Sequence, residues 1–295
     1  MRLSQTTNAS ERHGGSAARL SKVWLLLPAF NEAESLSLLL PKIKKLADEV
    51  LLHTIVCDDA STDGTRDVLR EFDDELRLDI IVHKMNRGLG ETVRDLFERV
   101  NELCSADDVI VRMDCDDTHD PAIILSMIDK LNQGCDVVVA SRFQPGGGQV
   151  GVNRLRSLLS TAANLFMKLL FPIRGLKEYS CGYRAYRASA IKTALAVYGS
   201  DFIQLKGLGF SCTLEKLVKL RMLGARFGEV PFVLRYDRKL SQSKMLANIT
   251  TFGYITLAIL YYWPWNGWRN HYKHIPKLGE CGSAEGAAKP QSCRL

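Results

Sequence analysis

The sequence lacks the features that mark several specialised classes of protein. Its 295 residues carry a formal net charge of only +6, and 46% of them are hydrophobic against 24% charged. This balance argues against a disordered chain, a collagen-like chain and a polytopic membrane protein. The small charge does not indicate nucleic acid as a partner, and we expect none. The length allows one large domain or two small ones around a substantial core.

The eight cysteines form no metal-binding pattern. None belongs to a Cys-x-x-Cys pair, and none has zinc-finger spacing to histidine. We therefore expect ordinary thiols in a reducing compartment. Residues 1–20 are polar and lack the apolar core of a secretory signal, so we expect the active site to face the cytoplasm. Residues 1–21 are interpreted as a flexible leader, and residues 276–295 as a disordered tail.

Short apolar runs alternate with helical patterns along the first half of the chain. The runs predict strands over residues 23–27, 51–57, 79–83, 109–113 and 137–140. Strands that alternate with helices indicate an α/β fold with a largely parallel sheet. In the less regular second half, the patterns predict a strand over 226–235 and helices over 154–170, 187–197 and 211–223.

A polar motif follows each of the five predicted strands of the first half. In chain order the motifs are PAFNE (28–32), DDASTDGT (58–65), NRGLG (86–90), DCDDTHDP (114–121) and SRFQPGGG (141–148). In open parallel sheets, ligands bind at the carboxyl ends of the strands. The sequence therefore predicts a binding crevice along one edge of the sheet.

The fourth motif is an acidic cluster that contains Asp114, Asp116, Asp117 and Asp120. Carboxylates placed this close together repel one another unless a cation neutralises them. Mg²⁺ or Mn²⁺ would suit such oxygen ligands and would share them with a diphosphate. The alternative is a solvated turn that caps the following helix. The other four polar strand ends favour the cation.

Two of the other motifs allow both a binding role and a structural role. Asp58 and Asp59 could accept hydrogen bonds from a base or a ribose, or they could form an Asx turn ahead of a helix. Glu32 could line the same site, or it could be an acid in the first turn of a helix.

Taken together, the ordered motifs resemble family 2 glycosyltransferases of the A-type nucleotide-sugar (GT-A) fold. Within that family they are most similar to dolichyl-phosphate and polyprenyl-phosphate mannosyl- and glucosyltransferases. The resemblance covers about residues 22–245. It implies a catalytic domain over 22–244, with a mostly parallel central sheet flanked by helices and an apolar C-terminal helix.

The resemblance also implies an activity. The enzyme would move a hexose, with inversion, from a nucleoside diphosphate sugar such as GDP-mannose or a UDP-sugar to a polyprenyl or dolichyl phosphate. Mg²⁺ or Mn²⁺ would be the cofactor and would neutralise the leaving diphosphate.

Individual roles follow from the same resemblance. The residues implied for nucleotide-sugar binding are Pro28, Phe30, Glu32, Asp59, Asp114, Arg238 and Lys244. Those implied for the metal are Asp114, Asp116 and Thr118, where Thr118 stands in place of the usual Gln. The candidate catalytic residues are Asp116, Asp117 and Arg142, and those for the acceptor phosphate are Arg156 and Ser160. Further matches are the SCGYR segment (180–184), Glu215 and Ser243.

The acceptor determines whether a general base is needed. A lipid phosphate has a second pKa of about 6, so it is largely ionised at neutral pH and needs little help from a base. A sugar hydroxyl would need a base, and Asp117 and Asp120 are the candidates. A family 2 enzyme that glycosylates a saccharide or a small-molecule hydroxyl therefore remains an alternative. A non-catalytic nucleotide-sugar-binding protein is another. A nucleotidyltransferase fits less well, because we find no Gly-rich basic loop near the N-terminus.

A basic segment precedes a charge-free one near the C-terminus. Residues 216–244 hold eight basic and two acidic side chains, and residues 245–263 hold no charged side chain. This order suits an anionic cytoplasmic leaflet. We expect an amphipathic or membrane-interface helix over 245–268, so that the protein lies on the cytoplasmic face of a membrane as a peripheral or single-anchor protein. A single membrane span and a packed core helix are the alternatives.

Overall fold

The computed structural model describes residues 22–240 and 247–278. The predicted leader (1–21) and residues 279–295 of the predicted tail lie outside the described residues. The strands are β1 (Val23–Ala29), β2 (Leu52–Asp58), β3 (Asp79–Val82), β4 (Val109–Arg112), β5 (Val137–Ser141), β6 (Gly148–Val150), β7 (Arg184–Arg187), β8 (Phe227–Pro231) and β9 (Val233–Arg235).

The helices surround the sheet in chain order. They are α1 (Ala33–Ala47), α2 (Thr65–Glu71), α3 (Asp73–Leu76), α4 (Leu89–Leu103), α5 (Ile123–Asn132), α6 (Arg154–Leu170), α7 (Ala188–Tyr198), α8 (Ser211–Met222), α9 (Ala247–Tyr262) and α10 (Gly267–His271). Short 3₁₀ turns occupy Gly199–Ile203 and Tyr236–Arg238. The helices predicted over 154–170, 187–197 and 211–223 agree with α6, α7 and α8 to within one residue at each end.

Seven strands form the central sheet in the order β3–β2–β1–β4–β7–β5–β8. β1 is parallel to β2 and β4, β2 to β3, and β5 to β8, whereas β7 is antiparallel to both β4 and β5. The α/β prediction with a mostly parallel sheet is confirmed. β1 is an almost unbroken buried apolar run, as expected for a strand covered on both faces.

Two features of the second half differ from the prediction. β7 (Arg184–Arg187) was not predicted as a strand, because its sequence RAYR contains no apolar run. The single strand predicted over 226–235 was wrong: β8 joins the central sheet, whereas β9 pairs with β6 in a separate two-stranded sheet. Phe232, between them, donates its N–H to Ser141 O at 3.0 Å, which ends the pairing with β5.

The strand order places the candidate site. From β1 the chain adds β2 and β3 on one side and then returns to β4 on the other side of β1. A crevice opens at such a reversal, beyond the carboxyl ends of the strands. Since β1 to β5 all point the same way, their five polar motifs share one edge of the sheet.

The C-terminal helix α9 packs on α8 through a face that buries Thr250, Leu257 and Tyr261. Its other face exposes Phe252, Ile255 and Ile259. Within 22–240 and 247–278, no helix is both long enough and apolar enough to cross a membrane.

Candidate active site

The first two polar loops are joined into one wall. Asn31 N–H donates to Ser61 Oγ at 2.9 Å, and Thr62 N–H donates to Asn31 Oδ1 at 2.8 Å. Glu32 N–H donates to Thr65 Oγ1 at 2.9 Å. Asn31 has a φ of 51°, a left-handed conformation that asparagine adopts more readily than most residues. The predicted nucleotide residues Pro28, Phe30 and Glu32 thus lie at or just beyond the end of β1 on a firmly held loop.

The two aspartates after β2 have different partners. Asp58 is fully buried; its Oδ2 pairs with Arg66 Nε at 2.6 Å, and its Oδ1 accepts Ser61 N–H, three residues on, at 3.0 Å, so its partners are structural. The Asp59 carboxylate accepts the N–H groups of Arg87 and Gly88, each at 2.8 Å. Asp59 therefore holds the NRGLG loop against the end of β2. Its contact with a base or ribose stays a prediction.

His83 extends this anchor. Its Nδ1 lies 2.6 Å from Asp59 Oδ1, and its Nε2 lies 3.0 Å from Asp95 Oδ2 on α4. Arg87 also donates to Asp95, through Nη1 at 2.6 Å. The glycine loop is therefore tied to β2 through the buried Asp59 and to α4 through the pair of the exposed Arg87 with Asp95, and hydrogen bonds to charged groups are the stronger class.

Asp114 and Asp116 both lie at the end of β4 with partial exposure. Asp114 Oδ1 lies 2.6 Å from Arg112 Nη2, and its backbone N–H donates to His119 Nδ1 at 3.1 Å. Asp116 Oδ1 accepts the Thr118 hydroxyl at 2.6 Å. The loop thus presents two carboxylates whose side-chain conformations are fixed by contacts with Arg112 and Thr118.

A cation already faces Asp116. The Lys239 ammonium, just beyond the 3₁₀ turn Tyr236–Arg238, donates to Asp116 Oδ2. Burial by itself raises the pKa of Asp116, but His119, Lys239 and the Thr118 hydroxyl together outweigh it, so that the pKa lies below its usual value. Asp116 is therefore ionised at neutral pH and attracts positive charge.

The other two acids of the cluster have structural partners. The buried Asp117 pairs with the partly exposed Lys42 of α1 at 2.5 Å. Asp120 Oδ1 accepts Ala122 N–H at 3.0 Å in the turn that precedes α5, whose N-cap residue is Ala122. Across the described residues, no group of three or more His, Cys, Asp or Glu side chains is placed to hold a metal ion. Asp114 and Asp116 are the two carboxylates that remain for one, with Thr118 beside them.

A cavity of about 140 Å³ lies beyond the end of β5. It is lined by Arg142, Phe143, Gly148, Gln149, Ser157, Ser160 and Thr161. Arg142 is gripped by the fully buried Glu178, with Nε to Oε2 at 2.8 Å and Nη2 to Oε1 at 3.0 Å. The same guanidinium reaches Ser160 Oγ at 3.4 Å and Ser180 Oγ at 2.8 Å. The result is a small polar pocket that contains the immobilised guanidinium of Arg142 and several hydroxyl groups.

Residues 24–195 match the family model described as glycosyl transferase family 2. The chain belongs to this family.

Two curated relatives carry more specific names. The undecaprenyl-phosphate mannosyltransferase of Micrococcus luteus is 32% identical over 232 residues, which cover 77% of this chain and 89% of the relative. The polyprenol monophosphomannose synthase of Mycolicibacterium smegmatis is 28% identical, covering 75% of this chain and 80% of the relative. The resemblance drawn from the motifs is therefore confirmed, and this family 2 chain is a glycosyltransferase.

A solved structure shows the same fold. It is glucosyl-3-phosphoglycerate synthase from Mycobacterium tuberculosis in complex with Mn²⁺, UDP and phosphoglyceric acid. The TM-score is 0.56 at 17% identity, over 88% of this chain and 81% of that one. At this identity the likeness supports the GT-A fold and no finer statement.

The remaining predicted residues are either outside the described residues or away from the carboxylate loop and the Arg142 pocket, or only their backbone is described. Lys244 and Ser243 lie outside the described residues. Arg156 lies on α6, one helical turn before Ser160, and its side chain is not described. Arg238 ends the 3₁₀ turn that leads to Lys239. Glu215 lies away from the carboxylate loop, where its side chain accepts the N–H groups of Gln204 and Leu205 at 2.9 Å each.

Sequence reasoning missed several residues that hold the site together. The most connected is Glu178, which accepts Arg142 Nε and Nη2, the N–H and hydroxyl of Ser180 and the N–H of Cys181. Glu229 on β8 accepts the N–H groups of Lys177 and Glu178 and the amide of Gln144, at 2.6 to 2.7 Å. His119 stacks on Tyr183 at 4.9 Å. Arg112, His83 and Lys239 were also missed. A charged residue inside an otherwise apolar strand, as at Arg112, was the one available signal.

Proposed function

We propose that this glycosyltransferase moves a hexose from a nucleoside diphosphate sugar, GDP-mannose or a UDP-sugar, to a polyprenyl or dolichyl phosphate. The observation that carries the proposal is the pocket around Arg142, whose guanidinium is fixed by Glu178 beside the Ser160 hydroxyl. A fixed arginine and hydroxyl donors suit a phosphate. The names of the two curated relatives, which specify polyprenyl phosphate and mannose, support the same acceptor and sugar.

Asp114 and Asp116 are the residues that would hold Mg²⁺ or Mn²⁺. Two adjacent carboxylates suit a hard cation whose remaining ligands come from a diphosphate and water, and the Lys239 ammonium on Asp116 supports a site for positive charge there. The structural neighbour was solved with Mn²⁺ and UDP, which agrees with this assignment. When bound, the ion would neutralise charge on the leaving diphosphate.

The partners of the remaining acids favour a phosphate acceptor over a hydroxyl. Asp117 is paired with Lys42, Asp120 accepts a backbone N–H in the turn before α5, and neither candidate base lines the Arg142 pocket. A lipid phosphate needs no strong base, because it is already ionised near neutral pH. The contribution of Arg142 and Ser160 would then be to orient the attacking oxygen.

An apolar face suits a lipid surface. α6, which lines the pocket with Ser157, Ser160 and Thr161, also exposes Leu158, Leu159, Leu165, Phe166 and Leu169. Tyr262 at the end of α9 donates to Leu170 O at the end of α6, and Trp263 and Trp265 follow it in exposed positions. Residues 154–177 contain five basic and no acidic side chains. We propose that this face rests on the anionic cytoplasmic leaflet and brings the pocket to its lipid substrate.

The double substitution of Leu165 and Leu169 by serine is expected to weaken binding to anionic vesicles roughly tenfold or more. These leucines are 57% and 73% exposed, and partial burial of two such side chains in lipid is worth about 2 kcal/mol. Co-sedimentation with phosphatidylglycerol vesicles measures the change. Leu103→Ser is the control, because Leu103 is 40% exposed at the far end of α4. Equal binding by the double variant and the wild type would contradict the proposed face.

The function itself is tested with labelled donors. The purified full chain is incubated with GDP-mannose or UDP-glucose, Mn²⁺, and polyprenyl phosphate in detergent. The matched acceptors are the same polyprenol without phosphate and a free sugar. We expect transfer to the phosphate alone, with one donor preferred. Transfer to a hydroxyl acceptor alone would identify the alternative enzyme class, and donor binding without any transfer would identify a non-catalytic binding protein.

A further inference from the structure

A buried arginine lies directly behind the acidic loop. Arg112, the last residue of β4, is 2% exposed, and its Nη2 lies 2.6 Å from Asp114 Oδ1. That contact is an ion pair without hydrogen-bond alignment, and in the described part of the chain Nε, Nη1 and Nη2 have no aligned hydrogen-bond partner. A buried guanidinium with so few partners costs stability, so its presence calls for another reason.

The surroundings of Arg112 raise this cost. Arg184 on β7 lies directly opposite in the antiparallel register, also fully buried. Burial, together with the charges of Arg112 and Arg184, lowers the pKa of Lys216 on α8 to about 8. Arg184 donates to the carbonyls of Thr213 and Tyr179, whereas within residues 22–240 and 247–278 the charged contact of Arg112 is with Asp114. An apolar side chain at position 112 would fill the space at a smaller cost in stability than a buried arginine.

Gly182 provides the space for this guanidinium. A Cβ at position 182 would lie 1.8 Å from Arg112 Nη1, and no other group lies as near. The backbone of Gly182 is not among those with positive φ, so glycine is required there for space rather than for conformation. The SCGYR segment and β4 are thus fitted to each other around Arg112.

We propose that Arg112 is a positioning residue for Asp114. Its charge fixes Oδ1 of the carboxylate, so that Oδ2, which lies 3.8 Å from His119 Nε2, would be the oxygen available to a divalent cation, and it offsets the repulsion between Asp114 and Asp116. The inference rests on the proposed function, in which these two carboxylates hold Mn²⁺ or Mg²⁺. It adds Arg112 and Gly182 as residues behind the two carboxylates that set their orientation.

Arg112→Met separates this role from a structural one. We expect Mn²⁺ affinity in the presence of GDP or UDP to fall about 10- to 100-fold, the usual effect of losing a residue that orients a metal ligand. The melting temperature should fall only modestly, because the Asp114 carboxylate that loses its partner is 28% exposed and can be solvated by water, whereas breaking a fully buried pair would be strongly destabilising. Electron paramagnetic resonance of free Mn²⁺ and thermal unfolding measure the two quantities. A lower melting temperature with unchanged Mn²⁺ affinity would overturn the proposal.

Gly182→Ala tests the same contact by another route. The added methyl must displace the guanidinium, so this variant should also lose Mn²⁺ affinity. In the Arg112→Met background the methyl has room, and the double variant should bind Mn²⁺ as Arg112→Met does. If the double variant instead loses as much Mn²⁺ affinity as the two single variants combined, the proposal is overturned.

The wild type separates the two levels of failure. If the wild type transfers sugar but its Mn²⁺ affinity is no higher than that of Arg112→Met, only the inference about Arg112 is overturned. If the wild type binds no Mn²⁺ with either nucleotide, the metal assignment in the proposed function is overturned, and the role of Arg112 with it.

Discussion

Asp116→Asn is expected to reduce sugar transfer by about a thousandfold or more. The substitution keeps the size of the side chain and an acceptor for the Thr118 hydroxyl, but it removes the charge that Lys239 faces in the structure. A bound divalent ion stabilises the developing charge of a leaving group by several kcal/mol, and each ~1.4 kcal/mol is a factor of ten in rate. Steady-state transfer from the preferred donor, measured over a range of Mn²⁺ concentrations, checks this expectation.

Asp107→Asn is the matched control. Asp107 is exposed in the turn that precedes β4, at the opposite end of the strand from Asp116. It should retain wild-type transfer and stability, because exposed positions without partners usually change stability by less than ~0.5 kcal/mol. An Asp116→Asn enzyme that keeps its fold and full activity would refute the carboxylate site at β4.

Arg142→Lys is expected to lower kcat/KM for polyprenyl phosphate about 100-fold. Lysine keeps a positive charge near the buried Glu178, but it cannot reproduce the two parallel contacts of the guanidinium or reach Ser160 and Ser180 at once. Loss of such a fork is worth about 3 kcal/mol at a desolvated site. Kinetics with the acceptor varied at saturating donor measure the effect.

Two further variants help to interpret that result: Ser160→Ala changes the same pocket, and Arg70→Lys is the control. Ser160→Ala removes one hydroxyl of the pocket and should cost roughly tenfold, the value of a single hydrogen bond. Arg70 lies exposed on α2, and its pair with Asp67 should be dispensable. If Arg142→Lys instead weakened nucleotide binding and left acceptor kinetics unchanged, Arg142 would belong to the donor diphosphate and not to the acceptor.

The chemistry of the proposed site depends on contacts between segments that are distant in sequence. Asp116 meets Lys239, 123 residues later, and Glu178 holds Arg142, 36 residues earlier. A string of acids in DCDDTHDP predicts negative charge but not which acid is paired. Asp117 and Asp120 look equivalent to Asp116 in the sequence, and their partners Lys42 and the start of α5 distinguish them.

The parallel strands were predictable because of how such strands are built. A strand covered on both faces needs apolar residues at nearly every position, so β1, β2, β4 and β5 read as continuous apolar runs. A search for apolar runs misses β7, because Arg184 and Arg187 interrupt any apolar pattern there. Arg184 is nevertheless buried, because its guanidinium finds the carbonyls of Thr213 and Tyr179.

By itself, the sequence determined the α/β class, the shared edge of five polar loops and the family. These follow from local patterns: apolar runs, helical spacing and the residue types that end each strand. Only the tertiary structure decided which acid faces a cation, which arginine lines a pocket and why residue 182 has no side chain. Those outcomes depend on the strand order and on the insertion of β7 beside β4, which place residues distant in sequence within a few ångströms of each other, where charge and volume must match.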